Sequence, residues 1–589
     1  MIRRHREFIV FSLIWAIYLA LSWAKYPQYY VAWNSDLGKE VMIPLRILNG
    51  EIPFKDFGLV YPPFPYYVNA GFLYIFGKTF KNFFIIGAIQ SIIYLFIAWK
   101  FLKKTSIKNW YRWLMLMILI TCAIFPGEHD GRFSFPYTFN WSYSLIFSFS
   151  VLLFMARYLE TKKYLALWGA GIFCGLSLLS KQDFIFCTIL TIFLGLFLEY
   201  IQLPEEGGGR IKKIIISVGI IALGVGIPVI VFNLFLISIG ASPFSLITNW
   251  FPKIFYLNFA NQFPVWHYYN PFNFRFIVFG MILGFCVAGS YFFSQKKSKG
   301  LGLFLIISFL VLVLRQLYRG TIQFDFRIWV TMLSVIYGLI QLIQIKETIY
   351  SKNYLLTLFP IAILGFQMRF LSLHGVVNLN FDGNLNIFIL FGALLFLFEI
   401  ANRFNNAGRR VYYALLSTLM IVVIFSSSLH LLRYYQEDRW KKIATSIGPL
   451  YLPNTTLEAK AFSEALTWLN QLPANEKVFS LNGEFLFASA GKLSKISYTQ
   501  PAYLMTIGEE KEIIRMLSDE KIEYVFLVQE GGYYPNVLGC LYGFDLYQFL
   551  RNNYHTDKMW GGEISFEEFQ GVKHSMNMVY ILKRSPGVS

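Results

Sequence analysis

Charged residues are scarce in this chain, and their scarcity excludes most soluble proteins. Only 15% of its 589 residues are charged, whereas 56% are hydrophobic and 19% are aromatic. In soluble domains about a quarter of the residues are charged, and disordered chains contain few aromatic residues. Apolar stretches long enough to cross a membrane recur from Phe8 to about Leu432. The composition therefore predicts an integral membrane protein with a soluble C-terminal tail.

Cysteine and the common catalytic motifs are also rare or absent. The chain has five cysteines, with no C-x-x-C pair and no metal-ligand spacing, so packing is their expected role. The tail contains only Cys540, which excludes an internal disulfide there. It also has no glycine-rich phosphate loop, no G-x-S-x-G and no paired His/Cys cluster. We expect the tail to recognise the acceptor or to act as a lid, and not to carry the chemistry.

Neither a cleavage site nor an internal repeat is visible. A basic start precedes the first apolar stretch, but no A-x-A-like site follows it, so we predict a retained first helix. A transporter or lipid flippase, the non-enzyme alternative, would predict inverted repeats and charges within the spans. The charges here lie mainly at span ends and in outer loops, which favours an enzyme.

The positive excess follows membrane topology. The net charge is +18, but Lys and Arg cluster in every second loop, as cytoplasmic loops do, so we predict no nucleic-acid partner. The alternation predicts about thirteen spans, a cytoplasmic N-terminus and an extracytoplasmic tail. The predicted spans are 8–24, 83–102, 111–126, 140–157, 163–180, 184–202, 212–238, 275–294, 300–317, 328–345, 354–373, 384–401 and 411–432.

Two domains are predicted. Residues 1–440 form the membrane domain, which includes a large first outer loop over 25–82, and residues 451–589 form an α/β domain. Short buried apolar runs and helical spacing predict the elements of the α/β domain. Its predicted strands are Lys477–Leu481, Tyr524–Val528 and Met578–Leu582, and its predicted helices are Leu457–Gln471 and Glu509–Lys521.

The first outer loop places a carboxylate, Asp36, directly after the first span. Ionisable groups at this depth are costly and are therefore candidates for function. The segment Leu37–Leu48 has apolar residues on one helical face, which predicts a short helix in the plane of the membrane interface. The alternative role for Ser35 or Asp36 is to cap this helix.

A longer pattern around Asp36 resembles the first outer loop of the GT-C glycosyltransferases. It comprises Ser35-Asp36, the run 44–57, Tyr61-Pro62-Pro63, Ala70 and Phe76-Gly77. Within that superfamily it is most similar to bacterial relatives of protein O-mannosyltransferases and the lipid A aminoarabinose transferase. The motif covers about residues 33–80, and the plan of spans and tail is similar as well.

The resemblance implies an α-helical, polytopic, GT-C-like fold in a bacterial inner membrane and an inverting transfer of a sugar. The implied donor is a polyprenyl-phosphate sugar, and the acceptor is an extracytoplasmic hydroxyl on a glycolipid, a cell-envelope glycan or a protein. Asp36 matches the acidic residue that serves as general base, which must lie within hydrogen-bond reach of the hydroxyl. Asp56 and the Tyr61-Pro62-Pro63 turn belong to the pattern but are expected to be architectural.

The second outer loop contains Glu128-His129-Asp130-Gly131-Arg132. The resemblance implies a second acidic site here, and a solvated turn is the alternative, favoured by the neighbouring glycines. Glu128, His129 and Asp130 can also offer ligands to a divalent metal. Many enzymes of this superfamily that use lipid-phosphate sugars work without metal. We therefore predict no cofactor and keep a divalent metal as the alternative.

The departing lipid phosphate needs positive charge. For Lys181, at an outer span end, the alternative role is to extend its ammonium group to the membrane interface. The aromatic residues of the outer loops also suit an interface belt. The candidate phosphate ligands are Lys39, Arg46, Arg132, Lys181 and Arg369. The candidate substrate contacts are His129, Gln182, Trp266, His267 and His374. The rival enzyme class, an O-antigen ligase or polymerase, usually lacks a large α/β tail.

Overall fold

The structure is a computed structural model with side chains. It describes residues 2–23, 35–59, 61–105, 107–124, 139–181, 184–202, 209–243, 274–295, 298–319, 322–344, 353–367, 387–433, 440–453, 457–473, 476–492, 496–498, 507–529, 543–560, 566 and 578–586.

The described residues of the chain before 440 are mainly helical. In chain order its helices are α1 (Ile2–Trp23), α2 (Ser35–Leu48), α3 (Phe64–Phe76), α4 (Phe80–Lys103), α5 (Asn109–Ile118, continued by a π-turn over Leu119–Ile124), α6 (Phe139–Thr161), α7 (Tyr164–Leu178), α8 (Ile185–Gln202), α9 (Gly209–Ser238), α10 (Phe274–Ser294), α11 (Lys299–Arg319), α12 (Ile322–Ile343), α13 (Tyr354–Gln367), α14 (Ile387–Asn402) and α15 (Asn406–Arg433).

All of these helices except α2 and α3 are apolar membrane candidates. By length and composition, seven are long enough to cross a membrane and six are shorter apolar helices. Each of the predicted spans overlaps one of them, so the predicted polytopic α-helical fold is confirmed. Many of their large apolar side chains face outward, as residues in contact with lipid do.

The first outer loop contains more structure than the sequence predicts. Helix α3 follows the proline pair, and Pro65 lies in its first turn, where a missing N–H costs little. The helix ends at Gly77, whose φ of 100° favours glycine. Proline residues, which we interpreted as loop signals, therefore begin a helix here.

Helices α7 and α9 pack closely through small residues. A Cβ on Gly171 would lie 2.6 Å from the Ile221 carbonyl oxygen, and one on Gly175 would lie 2.6 Å from the Val225 carbonyl oxygen. Close approach of backbones at a small-xxx-small pattern is typical of helix pairs in membranes. This contact fixes the position of α7, whose C-terminal end leads directly to Lys181.

The tail begins with a two-stranded hairpin and continues as an α/β domain. Its elements are β1 (Trp440–Ile443), β2 (Leu450–Pro453), α16 (Leu457–Gln471), β3 (Val478–Leu481), α17 (Glu484–Ala490), β4 (Ile496–Tyr498), α18 (Ile507–Asp519), β5 (Tyr524–Gln529), α19 (Phe544–Asn553), β6 (Tyr554–Trp560) and β7 (Met578–Arg584). The strands and helices predicted for the tail are therefore confirmed, with shifts of a few residues at their ends.

A mixed sheet of order β4-β3-β5-β7-β6 lies between two layers of helices. Strands β3, β4 and β5 are parallel, and β7 is antiparallel to both of its neighbours. Alternate residues of β5 face opposite sides, as the strand period requires. Phe526 and Val528 pack with α16 and α17, whereas Val525 and Leu527 pack with α18 and α19.

The α/β domain and the first outer loop share one hydrophobic cluster. Val41 and Met42 of α2 lie in the same cluster as Phe485 and Leu486 of α17. The backbone N–H of Phe80 also donates a hydrogen bond to Ile447, which lies between β1 and β2, at 2.7 Å. The tail is thus packed directly on the helix that carries Asp36.

Candidate active site

Helix α2 is buried along most of its length. Every residue from Gly38 to Arg46 is buried, the charged ones included. Only 3% of Lys39, none of Glu40 and 2% of Arg46 is exposed. The predicted helix is therefore present, but it lacks the solvent-exposed face of a helix at the membrane surface. Helix α17 packs on the apolar face of α2, at Gly38, Val41 and Met42. The charged face is covered instead by Tyr61, Tyr66 and Phe57 of the first outer loop and α3.

Lys39 and Lys181 approach the same aromatic ring. The Lys39 Nζ atom lies 5.1 Å from the centroid of the Tyr61 ring, and the Lys181 Nζ atom lies 4.7 Å from it. Three separate segments supply these residues: α2, the proline-rich turn and the end of α7. The exposed fractions are 3%, 8% and 9% for Lys39, Tyr61 and Lys181. Two ammonium groups thus lie close to one largely buried ring, and positive charge in a buried position attracts an anion.

Asp36 is the second residue of α2. Residues three and four apart share a helical face, so Asp36 lies on the same face as Lys39 and Glu40. Its side chain lies outside the described residues, and its role as general base stays a prediction.

Glu40 is a residue that sequence analysis passed over. Its carboxylate accepts a hydrogen bond from the Tyr66 hydroxyl at 3.2 Å and another from the Phe139 backbone N–H at 3.0 Å. Phe139 is the first residue of α6 and directly follows the second outer loop. Glu40 therefore ties α2 to α3 and to the end of the loop that carries Glu128 and Asp130. The sequence signal that could have identified Glu40 is its position four residues after Asp36, on the same helical face.

Arg46 lies at the junction with the α/β domain. Its guanidinium forms an ion pair with Glu51 at 2.5 Å and lies 5.7 Å from the Phe57 ring centroid. It follows Lys39 by seven residues, about 10 Å along a helix. These contacts give Arg46 a structural role, and its contact with the donor phosphate stays a prediction.

Glu484, the first residue of α17, is buried close to Arg46. Loss of hydration raises the pKa of its carboxyl to about 7, Arg46 lowers it in part, and Glu51 raises it further. Neither carboxylate oxygen has a hydrogen-bond partner among the described residues. Gly38 allows the close approach of the two helices, because a Cβ there would lie 3.0 Å from the Phe485 backbone nitrogen.

The other predicted site residues lie outside the described part of the chain, and their roles stay predictions. They are Glu128, His129, Asp130, Arg132, Gln182, Trp266, His267, Arg369 and His374. Within the described ranges, no group of three or more His, Cys, Asp or Glu side chains that could hold a metal is found. The Asp56 carboxylate accepts a hydrogen bond from the Ile52 N–H at 2.7 Å, which agrees with an architectural role.

Comparison by sequence gives no match, either to a family model or to a curated protein. Solved structures do match. The oligosaccharyltransferase of Archaeoglobus fulgidus, in complex with Zn and sulfate, is 14% identical over 92% of this chain and 71% of that chain, with a TM-score of 0.50. The same enzyme tethered with an acceptor peptide containing the NVT sequon gives 13% identity over 100% and 76%, with a TM-score of 0.48. ArnT from Cupriavidus metallidurans bound to undecaprenyl phosphate gives 11% over 98% and 98%, with a TM-score of 0.42.

At these identities the similarity concerns the fold. The fold shared with the oligosaccharyltransferase is the GT-C fold, which the pattern in the first outer loop had predicted. This chain therefore has a GT-C-like, polytopic α-helical fold with a C-terminal α/β domain.

Proposed function

We propose that this protein is an inverting membrane glycosyltransferase. It transfers a sugar from a polyprenyl-phosphate donor to a hydroxyl group of an acceptor on the extracytoplasmic side. The observation that carries the proposal is that Lys39 and Lys181 both lie close to the Tyr61 ring. Lys39 belongs to the helix whose first turn contains Asp36. The GT-C fold supports this assignment, because it agrees with the pattern around Asp36.

The proposed reaction is a single displacement. The Asp36 carboxylate takes the proton of the acceptor hydroxyl, and the hydroxyl oxygen attacks the anomeric carbon of the donor. The bond between that carbon and the phosphate oxygen breaks, and polyprenyl phosphate leaves with the electron pair. Attack from the side opposite the leaving group inverts the anomeric configuration. Lys39 and Lys181 stabilise the negative charge that develops on the phosphate.

The charge pattern of the loops supports the side of the membrane on which we propose the site to lie. Basic clusters in alternate loops support a cytoplasmic N-terminus, which puts α2, the end of α7 and the α/β domain on the opposite side. A lipid-borne donor presents its phosphate at this membrane surface. The large α/β tail favours this function over that of an O-antigen ligase or polymerase, and the absence of a repeat in the sequence disfavours a transporter.

The test is transfer of radiolabelled sugar in liposomes. Wild-type protein is supplied with polyprenyl-phosphate sugars and a glycan extract from the source cells, and labelled product is separated from donor. Asp36→Asn should reduce transfer by about a thousandfold or more, since it removes the base. Asp519→Asn, a control at an exposed aspartate of α18, should leave transfer unchanged.

Two results would contradict the proposal. One is an Asp36→Asn protein that is folded and fully active. The other is wild-type protein that moves the labelled lipid between leaflets without forming a glycosylated product, which would make it a flippase.

A further inference from the structure

A groove on the α/β domain lies between α16 and the edge strand β6. Its volume is about 480 Å³, within the roughly 300–1,000 Å³ that small-molecule sites occupy. Strand β6 lies at the end of the sheet order, and its pairing with β7 shifts register between Thr556 and Lys558. Such a bulge re-aims the side chains that follow it. Lys558 and Trp560, two residues apart, both line the groove.

The aromatic part of the groove is held in place. The Trp560 indole donates its Nε1–H to the Glu464 carboxylate at 2.7 Å, across from β6 to α16. This bond satisfies the only polar atom of the ring and leaves the rest as apolar surface. Trp468 is buried and packs edge-on against Tyr524, with ring centroids 5.7 Å apart. The groove therefore has a fixed aromatic wall.

The polar side chains of the groove include charges of both signs. Its lining includes one carboxylate, Glu464, and one ammonium group, Lys558, together with the Gln471 amide and the Thr467 hydroxyl. A phosphorylated or acidic ligand would require an excess of cations, and an amphipathic helix would require a continuous apolar strip. A flat wall beside hydrogen-bonding groups of balanced charge suits a neutral ligand with an apolar face and many hydroxyls. Sugar rings have this chemistry.

We propose that this groove binds a carbohydrate chain. The ligand stacks a sugar face on Trp560 and places its hydroxyls toward Gln471 and Lys558. The biological role of this binding rests on the proposed function. The bound carbohydrate would be the glycan acceptor, held by the domain that packs on α2. An extended peptide added to the edge of β6 is the competing occupant.

The experiment measures binding by the full-length protein in detergent. The protein is applied to an array of bacterial envelope oligosaccharides that also includes serine- and threonine-rich peptides. The oligosaccharide that gives the strongest signal is then titrated. Trp560→Ala and Gln471→Ala should each weaken its binding by about tenfold or more. Phe544→Ala, at an aromatic side chain that is 50% exposed on α19, should not change it.

Binding of oligosaccharides that both groove variants lose supports the proposal. It is overturned when no oligosaccharide binds, when peptides bind instead, or when Gln471→Ala, at an exposed side chain, binds as the wild type does. The assay needs no transfer. Its outcome is therefore separate from that of Asp36→Asn, and glycan binding by a protein without transferase activity would identify a binding module.

Discussion

The residues of the site combine charge with burial. A lysine over an aromatic ring gains about 0.5–2 kcal/mol, more when water is excluded. Both Lys39 and Lys181 lie close to the Tyr61 ring, so two ammonium groups surround one largely buried side chain. An anion near these groups is attracted more strongly than it would be in water, because the effective dielectric is lower. Such a position can distinguish a phosphate from an uncharged headgroup.

Glu40 yields a prediction about stability. Glu40→Ala leaves the Phe139 N–H and the Tyr66 hydroxyl without the acceptor they now share. Buried donors that lose their partner cost about 1–3 kcal/mol each. We expect a clearly lower temperature of thermal unfolding in detergent. Glu40→Gln keeps one acceptor oxygen and should lose less.

The control for this prediction is Glu160→Ala. Glu160 forms an ion pair with Lys104 in which both side chains are more than one-third exposed. Exposed pairs contribute about 0–1 kcal/mol, so this variant should unfold close to the wild type. An unfolding temperature for Glu40→Ala that equals that of Glu160→Ala would show that the bonds of Glu40 do not hold α2 in place.

Among the elements, α2 connects the two domains. It carries Asp36 and Lys39, contacts α3 and α6 through Glu40, and shares a hydrophobic cluster with α17. A change at the contact between α2 and α17 should therefore affect both stability and the site.

Gly38 tests that contact. In Gly38→Ala the new Cβ would lie 3.0 Å from the Phe485 nitrogen and 3.1 Å from the Glu484 Cβ, so backbone must move. Crowding of this kind costs about 1–3 kcal/mol, and we expect lower stability and slower transfer. Gly71→Ala is the matched control in α3, where nothing lies within 4 Å. Helix propensity should stabilise it by up to about 1 kcal/mol. Equal effects of the two substitutions would contradict close packing at Gly38.

Glu484 makes the same contact sensitive to pH. Its pKa rises from 4.5 to about 7 on folding, so between these values the folded state binds more protons than the unfolded state. Stability from this group is full below pH 4.5 and is lost as the pH rises through 7. The loss is on the order of 1–3 kcal/mol.

The measurement is the unfolding temperature at pH 5 and at pH 8. Glu484→Gln has no proton to lose, so its unfolding temperature should fall less between these values than that of the wild type. Arg46 and Glu51, the charged groups that act on Glu484, are present in both proteins. Parallel falls for the two proteins would show that Glu484 does not titrate in this range.

At the scale of the whole molecule, the sequence predicted the elements that depend on local residue patterns. Apolar length located the membrane helices, and short apolar runs located β3, β5 and β7. Helix α3 was missed because Pro62, Pro63 and Pro65 read as loop signals, although proline is tolerated in a first turn.

The rest of the site depends on contacts that no local pattern contains. Lys39, Tyr61 and Lys181 are far apart in the sequence and meet only through the packing of α2, the proline-rich turn and α7. The ion pair of Arg46 with Glu51 could also not be read from the position of Arg46 in the sequence. The burial of α2 likewise depends on α17, more than 400 residues further along the chain.

Equilibrium binding of undecaprenyl phosphate tests the central claim most directly, because it requires neither the sugar nor the acceptor to be known. Wild-type protein and Asp36→Asn should bind it alike, since the base does not hold the phosphate. The double variant Lys39→Met, Lys181→Met should bind it at least about a hundredfold more weakly. A double variant that is folded and binds undecaprenyl phosphate as the wild type does would contradict the account.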